Sequence, residues 1–111
     1  MVDKVIVFGS ETCGYGDPDL GFEILVNLLE RLSHRDDVPL ALIFWNTSVN
    51  LLTEGSPVLT HVKRLEGKGV KIIAGKLCVN QLELTGKLAA GKESTMDEIL
   101  DLVLHNDVIN F

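Results

Sequence analysis

Three short apolar runs, separated by turns and amphipathic stretches, leave this chain few folds to choose from. They are KVIVF (residues 4–8), LALIFW (residues 40–45) and VKII (residues 70–73). Runs this short and this rich in β-branched and aromatic residues read as strands covered on both faces. Between the first two, Asp17, Pro18 and Asp19 form a helix-start signal, and Leu20, Ile24, Leu25, Leu28, Leu29 and Leu32 recur at helical spacing. Before the third, Pro57 with Ser56 as cap opens a helix striped by Val58, Val62 and Leu65 and closed by Gly67 and Gly69. A Thr95-x-x-Glu98 capping box starts a last helix with Met96, Ile99, Leu100, Val103 and Leu104 on one face. Residues 107–111 then read as a short final strand. Parallel strands need crossovers, and those crossovers are right-handed. The expected architecture is α/β: a single three-layer domain over residues 1–111, with a mostly parallel sheet of four to five strands and helices on both faces.

Composition narrows the partners. At 111 residues such a chain buries a core without disulfide or metal staples. Ten basic against sixteen acidic residues, with no lysine or arginine cluster, disfavour a nucleic-acid partner. No apolar run approaches the ~20 residues of a membrane span, and the N-terminal run lacks the features of a signal peptide, so no membrane partner and a cytoplasmic location are expected. Cys13 and Cys78 lie far apart and neither belongs to a C-x-x-C pair, so they read as thiols rather than a disulfide framework. His34, His61 and His105 are scattered and read as solvent-facing, and no metal site or cofactor is expected.

Open parallel α/β sheets bind ligands outside the carboxyl ends of their strands. The loops there are residues 9–19, 46–56 and 74–80, which carry both cysteines and Asn46. Asn80 followed by Glu83 has the form of a helix cap, which would put Cys78 just outside the positive end of a helix. Lys76, two residues away, adds to a setting that favours the nucleophilic thiolate. Cys78 is therefore a candidate reactive thiol, and its alternative is an inert cysteine buried beneath a turn. The loop GSETCGYGD offers a competing site, because Ser10, Thr12, Gly14 and Gly16 stand where nucleotide and flavin phosphates sit. Against that, Glu11, Asp17 and Asp19 bring negative charge, and the glycines also suit positive φ. Cys13 in this loop is an incidental thiol or a resolving one. Asn46 is a turn-former or a polar group lining the cleft. Phe44 and Trp45 read as core, or as rim aromatics facing a ligand or a neighbouring subunit.

Several ordered motifs resemble a known family. VIVFGSETCGYGDPDLGFEIL, IFWNTSVNLLTEGSPVL, Cys78 and KLAAGKESTMDEI look like the DsrE/DsrF-like sulfurtransferases, and within them the YedF-like proteins linked to selenium metabolism. The matching positions are Gly14, Gly16, Asp17, Leu20 and Gly21 in the first loop and helix start, and Asn46 closing the second strand. They continue with Val49, Leu51, Gly55 and Ser56, and then with Gly91, Met96, Glu98 and Ile99 before and within the last helix. The family's sulfur-carrying cysteine falls on Cys78. Where the subgroup commonly has Cys-Gly-x-Cys, this chain has Gly75, Lys76 and Leu77 before Cys78, which leaves a lone thiol in its loop. The resemblance implies a homo-oligomeric sulfurtransferase or sulfur/selenium relay. Such a protein holds sulfane sulfur as a persulfide on Cys78 and exchanges it with a sulfur-donor or acceptor protein, without metal or organic cofactor. Cys13, another subunit or another protein would then resolve it.

Two other classes compete with this expectation: a non-catalytic oligomeric subunit with a structural cysteine, and a flavodoxin-like phosphate or flavin binder using the first loop.

Overall fold

In the computed structural model, which describes residues 1–111, five strands form one all-parallel sheet in the order β4-β3-β2-β1-β5. The strands are β1 (Val2–Phe8), β2 (Pro39–Phe44), β3 (Lys71–Gly75), β4 (Lys92–Ser94) and β5 (Asp107–Asn110). The helices are α1 (Pro18–Ser33), α2 (Leu59–Gly67), α3 (Lys76–Gln81) and α4 (Met96–Leu104), and a 3-10 helix runs over Asn46–Leu52. From β1 to β4 the chain steps steadily across the sheet. It must then return to the far edge beside β1, so with right-handed crossovers α4 lies on the face opposite α1 and α2.

Each face takes alternate residues of the strands. One face sets Ile6, Leu42 and Ile72 in register, with Phe8, Phe44 and Ala74 beyond them, against Leu25 and Leu29 of α1 and Val62 and Leu65 of α2. The other face carries Val5, Val7, Ala41, Ile43 and Ile73, closed by Ile99 of α4. Both β1 and β2 are therefore apolar at consecutive positions, as strands covered on both faces must be. The Phe8 and Phe44 rings stack with centroids 5.1 Å apart, at the end of the sheet where the strands finish.

Local signals account for most element boundaries. Asp17 caps α1, its Oδ1 accepting from the N–H of Asp19 and Leu20, with Pro18 at the first helical position. The Thr95–Glu98 capping box is formed in both directions. At the end of α2, Gly69 has φ +94°, the Val70 N–H donates to the Leu65 carbonyl and the Gly69 N–H to that of Glu66, which is a Schellman closure.

The structure corrects four expectations. Helix α2 begins at Leu59 rather than at Pro57; the Ser56 hydroxyl accepts from the Val58 N–H and so shapes a turn ahead of the helix. Leu20 and Ile24 face solvent, because only Gly21, Leu25, Leu29 and Ser33 of α1 turn fully inward. His61 is half-buried, with its Nδ1 enclosed and without a partner, whereas His34 and His105 are exposed. Most important for function, Asn80 and Glu83 do not start a helix: α3 begins at Lys76, directly after β3. No helix is long and apolar enough to cross a membrane.

Candidate functional site

Strand β3 runs into α3 without a loop, and that junction fixes Cys78. Gly75 is the last strand residue and also the N-cap of α3, so Cys78 occupies the third helical position instead of preceding the helix. Gly75 is buried, and a Cβ there would stand 3.4 Å from Cys78 Sγ and 3.4 Å from Trp45 Cβ. The sulfur thus packs against the β3–α3 junction, between α3 and the end of β2.

The C-terminal end of α3 explains the misleading Asn80/Glu83 pattern. Glu83 adopts φ +57°, its N–H donates to the Asn80 carbonyl, and the Leu84 N–H donates to the Val79 carbonyl. That is again a Schellman closure, with glutamate in the position that usually takes glycine. The two residues that resemble a helix start are its end.

On the other side of the sulfur, β2 finishes at Phe44 and the chain turns sharply. Asn46 has φ +55°, a left-handed conformation that asparagine tolerates better than most residues. This turn points the Asn46 backbone N–H at Cys78, and it donates to Sγ over 3.1 Å. The turn is held from below by Ser48, which is fully buried. The Ser48 hydroxyl lies 2.7 Å from the Phe8 carbonyl and 2.8 Å from the Trp45 carbonyl, sharing its single proton between the ends of β1 and β2.

Cys78 itself is half-buried and opens into a cleft of about 410 Å³ lined by Trp45, Asn46, Leu77, Cys78, Gln81 and Leu82. Leu77 and Gln81, and Cys78 and Leu82, are each four residues apart on one side of α3 and its end. The cleft is mostly apolar and none of its lining residues is charged. The Cys78 sulfur therefore has one backbone donor and an uncharged, mostly apolar surface beside it.

The other candidate residues are distributed more widely. Asn46 lines the Cys78 cleft, whereas Lys76 is exposed on the first turn of α3 and lines no part of it. Lys76 instead lies close enough to Glu98 for its charge to act on that carboxyl. Gly14 lines a second cleft with Gly9, Ser10, Thr12, Tyr15 and Phe111, which meets the first at Trp45. Gly16 lines neither. Gly14 and Gly16 have φ +81° and +130°, and nothing approaches where their Cβ atoms would be, so turn geometry alone accounts for them. The Ser10 hydroxyl donates to the Thr12 carbonyl and accepts from the Thr12 N–H, so it is committed within its own turn.

Cys13 is buried in the main core cluster, and burial pushes its thiol above the ordinary value. Its N–H donates to the carbonyl of Gly21, where a Cβ would meet the Cys13 carbonyl at 3.0 Å. Gly21 therefore lets the first loop lie against α1. No three His, Cys, Asp or Glu side chains gather closely enough to hold a metal ion.

Sequence reasoning missed Leu77, Gln81 and Leu82 as cleft walls and Ser48 as the support of the Asn46 turn. The four-residue spacings on α3 were available, but a helix start assigned at Asn80 hid them.

Comparison with known proteins extends the fold and not the chemistry. No family model matches this chain, and no curated protein matches it in sequence. Among solved structures it is similar to the YchN protein from E. coli at 19% identity, covering 99% of this chain and 100% of that one with a TM-score of 0.67. It is similar to MTH1491 from Methanobacterium thermoautotrophicum at 16% identity, covering 97% of each chain with a TM-score of 0.68. BT1422 from Bacteroides thetaiotaomicron gives 18% identity, 98% and 95% coverage and a TM-score of 0.65. MTH1491 and BT1422 are both described as proteins of unknown function. At these identities the likeness is one of fold alone: the chain shares the α/β fold of YchN.

Proposed function

We propose that this protein is a DsrE-like sulfur relay, with Cys78 as the residue that carries sulfane sulfur as a persulfide. The observation that carries the reading is the Asn46 N–H donating to Cys78 Sγ at the mouth of an apolar cleft. The Cys78 thiolate attacks the outer sulfur of a donor persulfide R–S–SH. A new S–S bond forms at Cys78, the donor S–S bond breaks, and R–S⁻ leaves with the electron pair. The proton stays on the transferred sulfur, and no oxidant or cofactor is consumed. An acceptor thiolate reverses the exchange at the same atom. The first thiol of the YedF-like pattern is replaced by Gly75, and Cys13 is buried with its thiolate disfavoured. Both features favour relay to a separate acceptor over internal resolution.

Loading the protein with a small persulfide and then adding an excess of dithiothreitol tests this. Cys78 should gain one sulfur and then lose it. A protein that takes up none, or holds it permanently, contradicts the relay.

We also infer that the chain assembles with copies of itself. Met96, Leu100 and Leu104 form an exposed stripe along α4, and β5 is an open edge strand whose Val108 and Ile109 are exposed. Apolar surface on a helix and on the adjacent sheet edge is what a homo-oligomer buries.

A further inference from the structure

All five strands point the same way, so one rim collects every strand's carboxyl end and the segments that follow it. Cys78 lies on that rim, and the charges there are strongly one-sided. The carboxylates are Glu11, Asp17 and Asp19 around the first loop, Glu83 at the end of α3, and Asp97 and Glu98 at the start of α4. The nearby cations are Lys76 and Lys92, and both lie close enough to Glu98 for their charges to depress its carboxyl. Most of the chain's net charge of −6 therefore sits on this rim. At the other end of the molecule, where α1 and α2 finish, Arg31, Arg35, Arg64 and Lys68 are matched by Glu30, Asp36, Asp37 and Glu66, and Arg35 pairs with Asp37, so that end is close to neutral.

On this acidic rim the surface beside the sulfur is apolar and uncharged. Trp45 and Leu82 wall the cleft, and Leu77 is 65% exposed at its edge. An exposed apolar patch on a rim of net negative charge has the anatomy of a protein-docking surface. It is poorly suited to a small anionic donor such as thiosulfate, which would bring two negative charges into a negative field with no cation in the cleft to receive them.

Resting on the relay reading above, we propose that the partner docking over Cys78 is a protein whose own cysteine lies in a lysine- or arginine-rich segment. Its positive side chains meet the carboxylate rim, and the uncharged sulfur and its neighbours enter the apolar cleft. Sulfur then passes between the two cysteines by the exchange already described, with one S–S bond formed and one broken.

Three persulfide probes separate this inference from the relay reading. They are a peptide with a central cysteine persulfide flanked by lysines, the same peptide flanked by glutamates, and a small uncharged alkyl persulfide. The rate at which Cys78 gains sulfur is followed by intact mass at low ionic strength. The lysine-flanked peptide should load Cys78 faster than the glutamate-flanked one by on the order of tenfold or more, and added salt should close the gap. If the uncharged persulfide loads Cys78 while the two peptides react equally, or the glutamate peptide reacts faster, the docking inference fails and the relay stands. If none of the three loads Cys78, the relay reading fails and takes the inference with it.

Discussion

The backbone N–H of Asn46 donates to the sulfur of Cys78 over 3.1 Å, so the turn that follows β2 directly supports the thiol held on α3. The bond depends on the left-handed turn at Asn46, φ +55°, and therefore on residue type. Asn46→Gly adopts that conformation at no steric cost and should leave the alkylation rate of Cys78 close to wild type. Asn46→Val resists it and should slow alkylation about tenfold, because a hydrogen bond to a charged acceptor is worth roughly 1.5–3 kcal/mol. Rates of iodoacetamide labelling at Cys78 check this, and equal rates for the two variants would show that the N–H does not matter.

Glu83 closes α3 with φ +57°, where a side chain is strained. Glu83→Gly removes that strain and should stabilise the fold by roughly 0.5–1 kcal/mol in urea unfolding. A destabilised variant would mean that the glutamate side chain has a stabilising role of its own.

These two residues also show how far the sequence could be read. The strands of the central sheet, the Asp17–Pro18 start of α1 and the Thr95–Glu98 box were legible because each depends on local chemistry: β-branched runs, a cap, a reciprocal hydrogen bond. Strand β4 was not, because Lys92–Ser94 is three residues of mixed polarity on an edge, and it pairs only because β3 lies beside it. The start of α3 was hidden for a related reason. Gly75 caps it without a side-chain bond, so the segment has no start signal, while Asn80 and Glu83 imitate one at its end. Cys78 and Asn46 were both expected on the rim, but neither the hydrogen bond between them nor the walls Leu77, Gln81 and Leu82 were legible. The Asn46–Cys78 bond joins residues 32 positions apart, at the ends of neighbouring strands, and only the sheet order brings them together.

The carboxyl of Glu98 sits below its ordinary value of 4.5, first because the Thr95 N–H donates to it and then because of the Thr95 hydroxyl, with Lys92 and Lys76 adding to the effect. A carboxyl depressed in the native state is protonated first in the unfolded chain. Its contribution is therefore complete above that ordinary value and fades as pH falls through the lower native one. Thermal melts of wild type should lose stability on acidification below about 4.5, and Glu98→Gln, which keeps an acceptor for the cap, should lose less. Parallel pH profiles would contradict the assignment.

Leu100 and Leu104 are exposed on α4, which leads into the open edge strand β5. Replacing both with glutamate should leave the fold intact, since neither is in the core, and should shift the sedimentation profile from oligomer to monomer. A wild-type protein that sediments as a monomer at micromolar concentration would remove the self-assembly reading.

The place where sulfur is carried is decided by intact mass spectrometry of wild type, Cys13→Ser and Cys78→Ser after incubation with a small persulfide. Wild type and Cys13→Ser should each gain the mass of one sulfur atom, and Cys78→Ser should gain none. Equal gain by Cys78→Ser, or no gain by wild type, would contradict Cys78 as the carrier.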